Sequence, residues 1–411
     1  MNEPFPNSLL QEAARRFGTP LYLYSEEVIT RQFRAIDAAL SSIPHLVCYA
    51  VKANSNLSLL KIFRELGCGF DIVSGGELQR VLASGGSASS VVYSGVGKRD
   101  DEIRLALESN ILFFNVESSG ELSRIEALAA AMKKRAKIAL RVNPNISVET
   151  HPYLATGIHS SKFGIPTSDI DGLWERIGRS ASLELVGIDC HIGSQITDVL
   201  PFRDAYSEIL TIAHHLSGKG APIRYIDLGG GFGVKFSGHY TPLDLSSYSA
   251  MIQEVTRGTP YQYIVEPGKF LVSEAGALLT QVLLIKQNGA KKFAVVDAGM
   301  NDLIRPALYE AFHHIDLVGE DVGSRARESI DVVGPVCESG CFLALDRALP
   351  RVRQGELLLV RDAGAYGFSM ASNYNSRPLP AEVLVSSNGT LQLIRKRQAV
   401  ASLWQDELVT G

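Results

Sequence analysis

Lys52 follows an otherwise apolar run in HLVCYAVKAN, His45–Asn54. Such a run predicts a buried parallel strand with the lysine at its C-terminal end. A lysine amine in low-dielectric surroundings has a depressed pKa, stays partly neutral and can attack a carbonyl to form a Schiff base. The plain alternative is a strand-end lysine that snorkels to water. This segment alone does not separate the two.

The elements around it do. Seven further strand runs follow: Phe70–Val73, Ser90–Tyr93, Ile111–Asn115, Lys137–Val142, Leu183–His191, Arg224–Leu228 and Gln262–Val265. Helical patterns separate most of them, among them Leu57–Leu66, Gly76–Ser84, Asp100–Glu108, Ser119–Lys134 and Phe202–Leu216. Eight such units without a composition break predict a (β/α)8 TIM barrel, with an open doubly wound sheet as the alternative. Barrel chemistry sits at the C-terminal ends of the strands. The polar residues there are Lys52, Asp71, Ser94, Asn115, Arg141, His191, the run Gly229-Gly230-Gly231, and Glu266. Each has a bland reading by itself: Arg141 as a rim ion pair, His191 as a satisfied core histidine, Glu266 paired with Lys269. Eight strands ending this way argue for a site.

The segment DLGGGFG (Asp227–Gly233) offers backbone N–H groups to an anion without an intervening Cβ. It follows strand seven, where barrels hold phosphate, and Ser194 in HIGSQ can add a hydroxyl. A buried carboxylate such as Glu266 needs a cationic or proton-bearing partner. A pyridoxal phosphate ring nitrogen is such a partner, and the acid makes the ring an electron sink.

After Glu266 the alternation stops. Leu278–Lys286, Lys292–Asp297, Ile330–Val333, Glu356–Arg361, and a hairpin of Ala381–Val385 with Thr390–Lys396 predict a mainly β domain. The strand LYLY near the N-terminus is expected to join it. The expected division is a barrel over residues 25–275, with residues 1–24 and 276–411 forming the β domain. His151–Pro166 reads as a long loop that belongs to the site.

The chain has 411 residues, 45% hydrophobic and 20% charged, with a net charge of -4. That charge gives no basic field for nucleic acid or an anionic membrane. No run approaches the roughly 18 apolar residues of a membrane span, and the polar N-terminus lacks a signal-peptide core. Five scattered cysteines suit reduced thiols in a cytoplasm. Cys337 and Cys341 lie close in sequence without a histidine at zinc-site spacing, so no metal is expected.

YAVKAN, HIGSQ, DLGGGFG, EPGK, MNDLIRPALYEAFH, GPVCESG and AYGFSMASNYNSRPLPAEVLV resemble the bacterial diaminopimelate decarboxylases. These belong to the fold-type III pyridoxal phosphate enzymes, with alanine racemases and ornithine decarboxylases. The resemblance runs from about Gly18 to Glu407. It implies a pyridoxal 5'-phosphate enzyme that decarboxylates meso-2,6-diaminopimelate to L-lysine, the last step of lysine biosynthesis. Lys52 would carry the cofactor, with Asp71 and Arg141 around it and His191 on its ring. Ser194, Gly229, Gly230, Gly231 and the backbone around Gly268 would hold its phosphate, and Glu266 its ring nitrogen. Arg305 and Tyr309 would bind the far end of the substrate, and Tyr366 would lie against the cofactor. The resemblance also implies a homodimer with shared active sites, in which the partner supplies Cys337 as proton donor and Glu338 to the distal ammonium.

Two positions depart from the family pattern. Lys269 stands where the family usually has arginine, beside cofactor and substrate, and cannot form a bidentate fork. Cys341 stands where the family tends to have aspartate. Lys269 keeps open a sister decarboxylase acting on another basic or acyl-linked amino acid. A non-catalytic cofactor binder is disfavoured by the set Lys52, His191, Glu266, Cys337 and Tyr366. A racemase is disfavoured by CESG, where that branch has a catalytic tyrosine.

Overall fold

The structure is a computed structural model that describes residues 4–144, 162–234 and 241–408. It divides into two compact units. One holds residues 32–234 and 241–270; the other holds residues 4–31 and 271–408. Most of the loop expected over His151–Pro166 lies outside the described residues.

The first unit is a closed barrel of eight parallel strands. In chain order they are His45–Ala50, Gly69–Ile72, Val91–Tyr93, Phe113–Val116, Ala136–Asn143, Leu183–Asp189, Tyr225–Asp227 and Gln262–Val265. Each pairs with the next, and the last closes on the first through Tyr263 opposite His45. Their burial is nearly continuous, as parallel strands covered by helices require. Cys48, Val92, Phe113, Ala139, Val186 and Ile264 make one buried cluster. The helices between strands are amphipathic and capped by their own sequence. Asn56, Ser74 and Ser118 each accept a backbone N–H in the first turn of the helix that follows.

The second unit is a nine-stranded sheet. Leu21–Ser25 lies between Gly276–Asn288, antiparallel, and Ala381–Val385, parallel. The 13-residue strand Gly276–Asn288 pairs early with Leu357–Val360 and late with Lys291–Val296 across a register shift. A bulge lets one long strand serve both neighbours. Leu21, Leu23, Leu279, Leu359 and Val383 centre its core. Two strands were not anticipated: Ile315–Val318, and Phe342–Pro350 paired with Arg327–Val333.

Candidate active site

The eight strands deliver their polar residues to one end of the barrel. Lys52 sits in the single turn Val51–Ala53 after the first strand, and its Nζ lies 2.7 Å from Asp71 Oδ2. Asp71 is fully buried, while the Lys52 side chain is 36% exposed. Lys52 is therefore paired with a buried carboxylate at a partly open position, not set alone in an apolar pocket. The carboxylate at the end of the neighbouring strand, out of view in the local sequence, makes the difference.

Arg141 is held from two sides. Its Nη1 donates to Glu117 at 2.9 Å and its Nε lies 3.8 Å from Asp189. Glu117 is held in turn by the Gly95 N–H at 2.9 Å. Behind it, Lys98 is sealed from water and spends its protons on Glu121 and two carbonyls. A buried cation persists only with such complete pairing.

Asp189, Asp227 and Glu266 place carboxylate oxygens within 4.8 Å of one another, all buried. Asn115 Nδ2 reaches Asp227 at 3.2 Å and Glu266 at 3.5 Å, and Ser94 Oγ reaches Glu266 at 3.4 Å. Burial and repulsion from neighbouring carboxylates push the Glu266 and Asp189 carboxyls well up, and burial, with the Asp71 charge, pushes Asp227 to about 6. One oxygen each of Asp71 and Asp189 is buried without a hydrogen-bond partner. The end of the barrel thus holds more acid groups than its cations can pair. A protonated ring nitrogen beside Glu266 fits that shortfall, and so a pyridine-type cofactor fits the donor set.

The loop after the seventh strand fits the cofactor's phosphate. A Cβ on Gly230 would lie 2.3 Å from the Glu266 carbonyl, on Gly229 2.4 Å from the Cys190 carbonyl, and on Gly231 2.5 Å from the Gly193 carbonyl. Gly229 and Gly231 also have positive φ. Only glycine allows this approach. Ser194 Oγ accepts from Lys269 Nζ at 3.2 Å, and Gly268, just before Lys269, packs close to Ala50 and Ala53, where a Cβ would lie 3.1 and 3.3 Å from theirs. His191 Nδ1 accepts the Gly230 N–H at 3.0 Å. Burial and the nearby Arg141 and Lys52 charges push His191 well below the usual histidine range. It is a neutral ring fixed beside the glycine loop.

The barrel unit therefore brings together Lys52, Asp71, Arg141, His191, Ser194, Gly229–Gly231, Glu266, Gly268 and Lys269. Glu117, Asp189, Lys98 and Glu121 were missed as supporting residues, and Asp227 was seen only as part of the glycine motif. An acid at the end of an apolar strand or just after it was the signal for Glu117 and Asp189, whereas Lys98, in a loop, and Glu121, in a helix, carry no such mark.

The second unit carries the others. Arg305 opens the short helix Arg305–Tyr309 and is 6% exposed. Tyr366, Tyr309 and Asp362 lie near enough to oppose the downward pull of burial on its pKa. Tyr366 has a positive φ in a turn, rare for an aromatic residue. Cys337 and Glu338 stand exposed in one turn, with the Cys337 N–H bonded to Asn375 Oδ1 at 2.8 Å. Cys341 is buried, and its Sγ accepts the Met300 N–H at 3.4 Å.

Residues 26–273 match the family described as pyridoxal-dependent decarboxylase, pyridoxal binding domain. The diaminopimelate decarboxylase of Pseudomonas aeruginosa is 48% identical over 97% of this chain and 95% of its own. The crystal structure of the Helicobacter pylori diaminopimelate decarboxylase complexed with L-lysine superposes with a TM-score of 0.92 at 41% identity, covering 96% of this chain and 98% of that one. A lysine/ornithine decarboxylase of Vibrio vulnificus shares the fold, with a TM-score of 0.80 at 22% identity over 93% of this chain and 98% of that one. Full-length likeness, barrel chemistry and glycine cradle agree, and the chain belongs to the diaminopimelate decarboxylase family of pyridoxal-dependent decarboxylases.

Proposed function

We propose that this protein removes carbon dioxide from meso-2,6-diaminopimelate to give L-lysine, with pyridoxal 5'-phosphate as cofactor. The observation that carries the chemistry is Lys52 paired with buried Asp71 on the same barrel end as Glu266 and the glycine loop. Lys52 would hold the cofactor's aldehyde carbon, Gly229–Gly231 and Ser194 its phosphate, His191 a ring face and Glu266 its ring nitrogen. When bound, the cofactor accepts the electron pair that the departing carboxylate leaves behind.

The chain's own residues do the rest. Asp71 orients the Lys52 amine and takes up its charge. Glu266, braced by Ser94 and Asn115, keeps a proton at the ring nitrogen. Arg141, held by Glu117 and Asp189, offsets part of the carboxylate charge. Cys337 delivers a proton from Sγ to the α-carbon, where the carbon–carbon bond has broken. Arg305 and Tyr309 hold the far carboxylate of the substrate and Glu338 its far ammonium. Lys269 adds a point charge near the phosphate and substrate, and Tyr366 lies against the cofactor.

The active species is read as a homodimer in which Cys337 and Glu338 serve the partner's site. Their exposure on their own subunit supports this. The enzyme is read as cytoplasmic: all five cysteines are free, and no described helix is long and apolar enough to cross a membrane. The barrel is read as the cofactor domain and the β unit as the source of substrate and dimer contacts. Borohydride reduction of the purified enzyme, followed by peptide mapping, tests the chemical core. The pyridoxyl group is expected on Lys52, and a map with Lys52 unmodified contradicts the reading.

A further inference from the structure

His313 is fully buried and stands eight residues after Arg305. Its Nε2 lies 3.4 Å from Arg305 Nη1. A guanidinium only donates, so Nε2 must present its lone pair. The other ring nitrogen, Nδ1, lies 2.8 Å from the Arg361 carbonyl. A carbonyl only accepts, so Nδ1 must carry the hydrogen. One tautomer of the neutral ring satisfies both neighbours, and the imidazolium satisfies only one. Burial, with the Arg305 and Arg347 charges, pushes His313 down to about 3, despite the Arg361 carbonyl. The backbone of His313 is fixed as well. Arg347 Nη1 donates to its carbonyl at 2.7 Å and packs 3.8 Å over the Phe312 ring.

We propose that His313 is a positioning residue whose Nε2 lone pair aims the Arg305 guanidinium, so that selectivity for a second carboxylate depends on it. This rests on the diaminopimelate reading above. A guanidinium recognises a carboxylate as a planar fork, and orientation matters as much as charge. An Arg305 that has swung away from His313 keeps its charge and loses the fork.

Two substitutions separate the parts of the ring. His313→Asn keeps a donor where Nδ1 sits and has no acceptor reaching the place of Nε2. His313→Gln carries an amide oxygen out to that place. The measurements are KM for meso-diaminopimelate, the competitive inhibition constant of cadaverine, the diamine that lacks the far carboxylate, and the dissociation constant of the cofactor. His313→Asn is expected to raise KM roughly tenfold, the loss of one hydrogen bond to a charged group. It should shift the cadaverine constant by less than about threefold on the same reasoning. His313→Gln should recover most of the loss, and cofactor affinity should hold in both. If His313→Asn does not fold, the apolar His313→Leu takes its place in the comparison. Equal weakening of both ligands, unchanged constants, or identical behaviour of the Asn and Gln proteins overturns the proposal. Wild-type enzyme that does not turn over meso-diaminopimelate overturns the parent reading and this one together. Loss confined to the variants concerns His313 alone.

Discussion

The backbone N–H of Glu266 donates to the Gly229 carbonyl at 2.8 Å. The glycine loop after one barrel strand and the acid after the next are thereby one rigid piece. The phosphate end and the ring-nitrogen end of a bound cofactor would be gauged against each other by backbone, not by flexible side chains. Asp227 strengthens the tie, because its Oδ1 accepts the Gly229 N–H at 3.1 Å and Asn115 bridges it to Glu266.

Gly230→Ala tests that tie. The added Cβ meets the Glu266 carbonyl at 2.3 Å, and backbone must move to admit it. We expect a fold that survives and a cofactor dissociation constant raised at least about fivefold, from an overpacking cost of roughly 1–3 kcal/mol. Equilibrium dialysis of the cofactor against wild type and variant measures it.

The buried acids predict a pH dependence of the apoprotein. The folded Asp227 pKa is about 6 against an ordinary 3.8, through burial and the Asp71 charge. Between those values the fold holds a proton that the unfolded chain has lost. Stability from this group is therefore present at low pH and lost as pH rises from about 4 through about 6. Relative to Asp227→Asn, the wild-type apoprotein should lose on the order of 3 kcal/mol across that window. Urea midpoints of both proteins at several pH values read the difference.

The barrel was legible because eight apolar runs each had to be a buried strand, and their spacing left room for one helix apiece. The observed strands begin and end within about two residues of the expected ones. Phe342–Pro350 was not legible: FLALDRALP carries Ala, Leu and charges at helical spacing, and only pairing with the distant Arg327–Val333 makes it a strand. Chemistry was legible one residue at a time. Lys52, His191 and Glu266 stand out by type, whereas the convergence of Asp189, Asp227 and Glu266 is a property of the closed barrel. Sequence gives each acid a place on its own strand and no neighbour. His313, one of two adjacent histidines, carries no local mark of its link to Arg305.

The far end of the substrate supplies another test. Arg305→Ala should cost roughly 2–5 kcal/mol in kcat/KM for meso-diaminopimelate, the range for breaking a buried charge pair. It should cost far less for an amine with one carboxylate. Lys269→Arg should keep or improve activity, because arginine retains the charge and adds a fork, and Lys269→Ala should weaken it. Steady-state kinetics of the three proteins decide it.

Subunit mixing tests the shared site. Lys52→Ala and Cys337→Ala proteins should each be inactive, and a hybrid dimer should regain part of the activity, since one of its sites keeps both residues. Mixing with exchange proven by mass-tagged subunits, and still no recovery, places Cys337 and Lys52 in the same subunit's site.

The substrate claim is tested most directly by carbon dioxide release from the purified holoenzyme given meso-diaminopimelate, ornithine, arginine or lysine at equal concentration. A site that pairs buried Arg305 with a far carboxylate and Glu338 with a far ammonium would leave both unpaired with the wrong substrate. The account predicts rapid release from meso-diaminopimelate, with L-lysine as product, and little from the other three. Preference for ornithine, arginine or lysine would contradict it and assign the chain to a sister activity on the same fold.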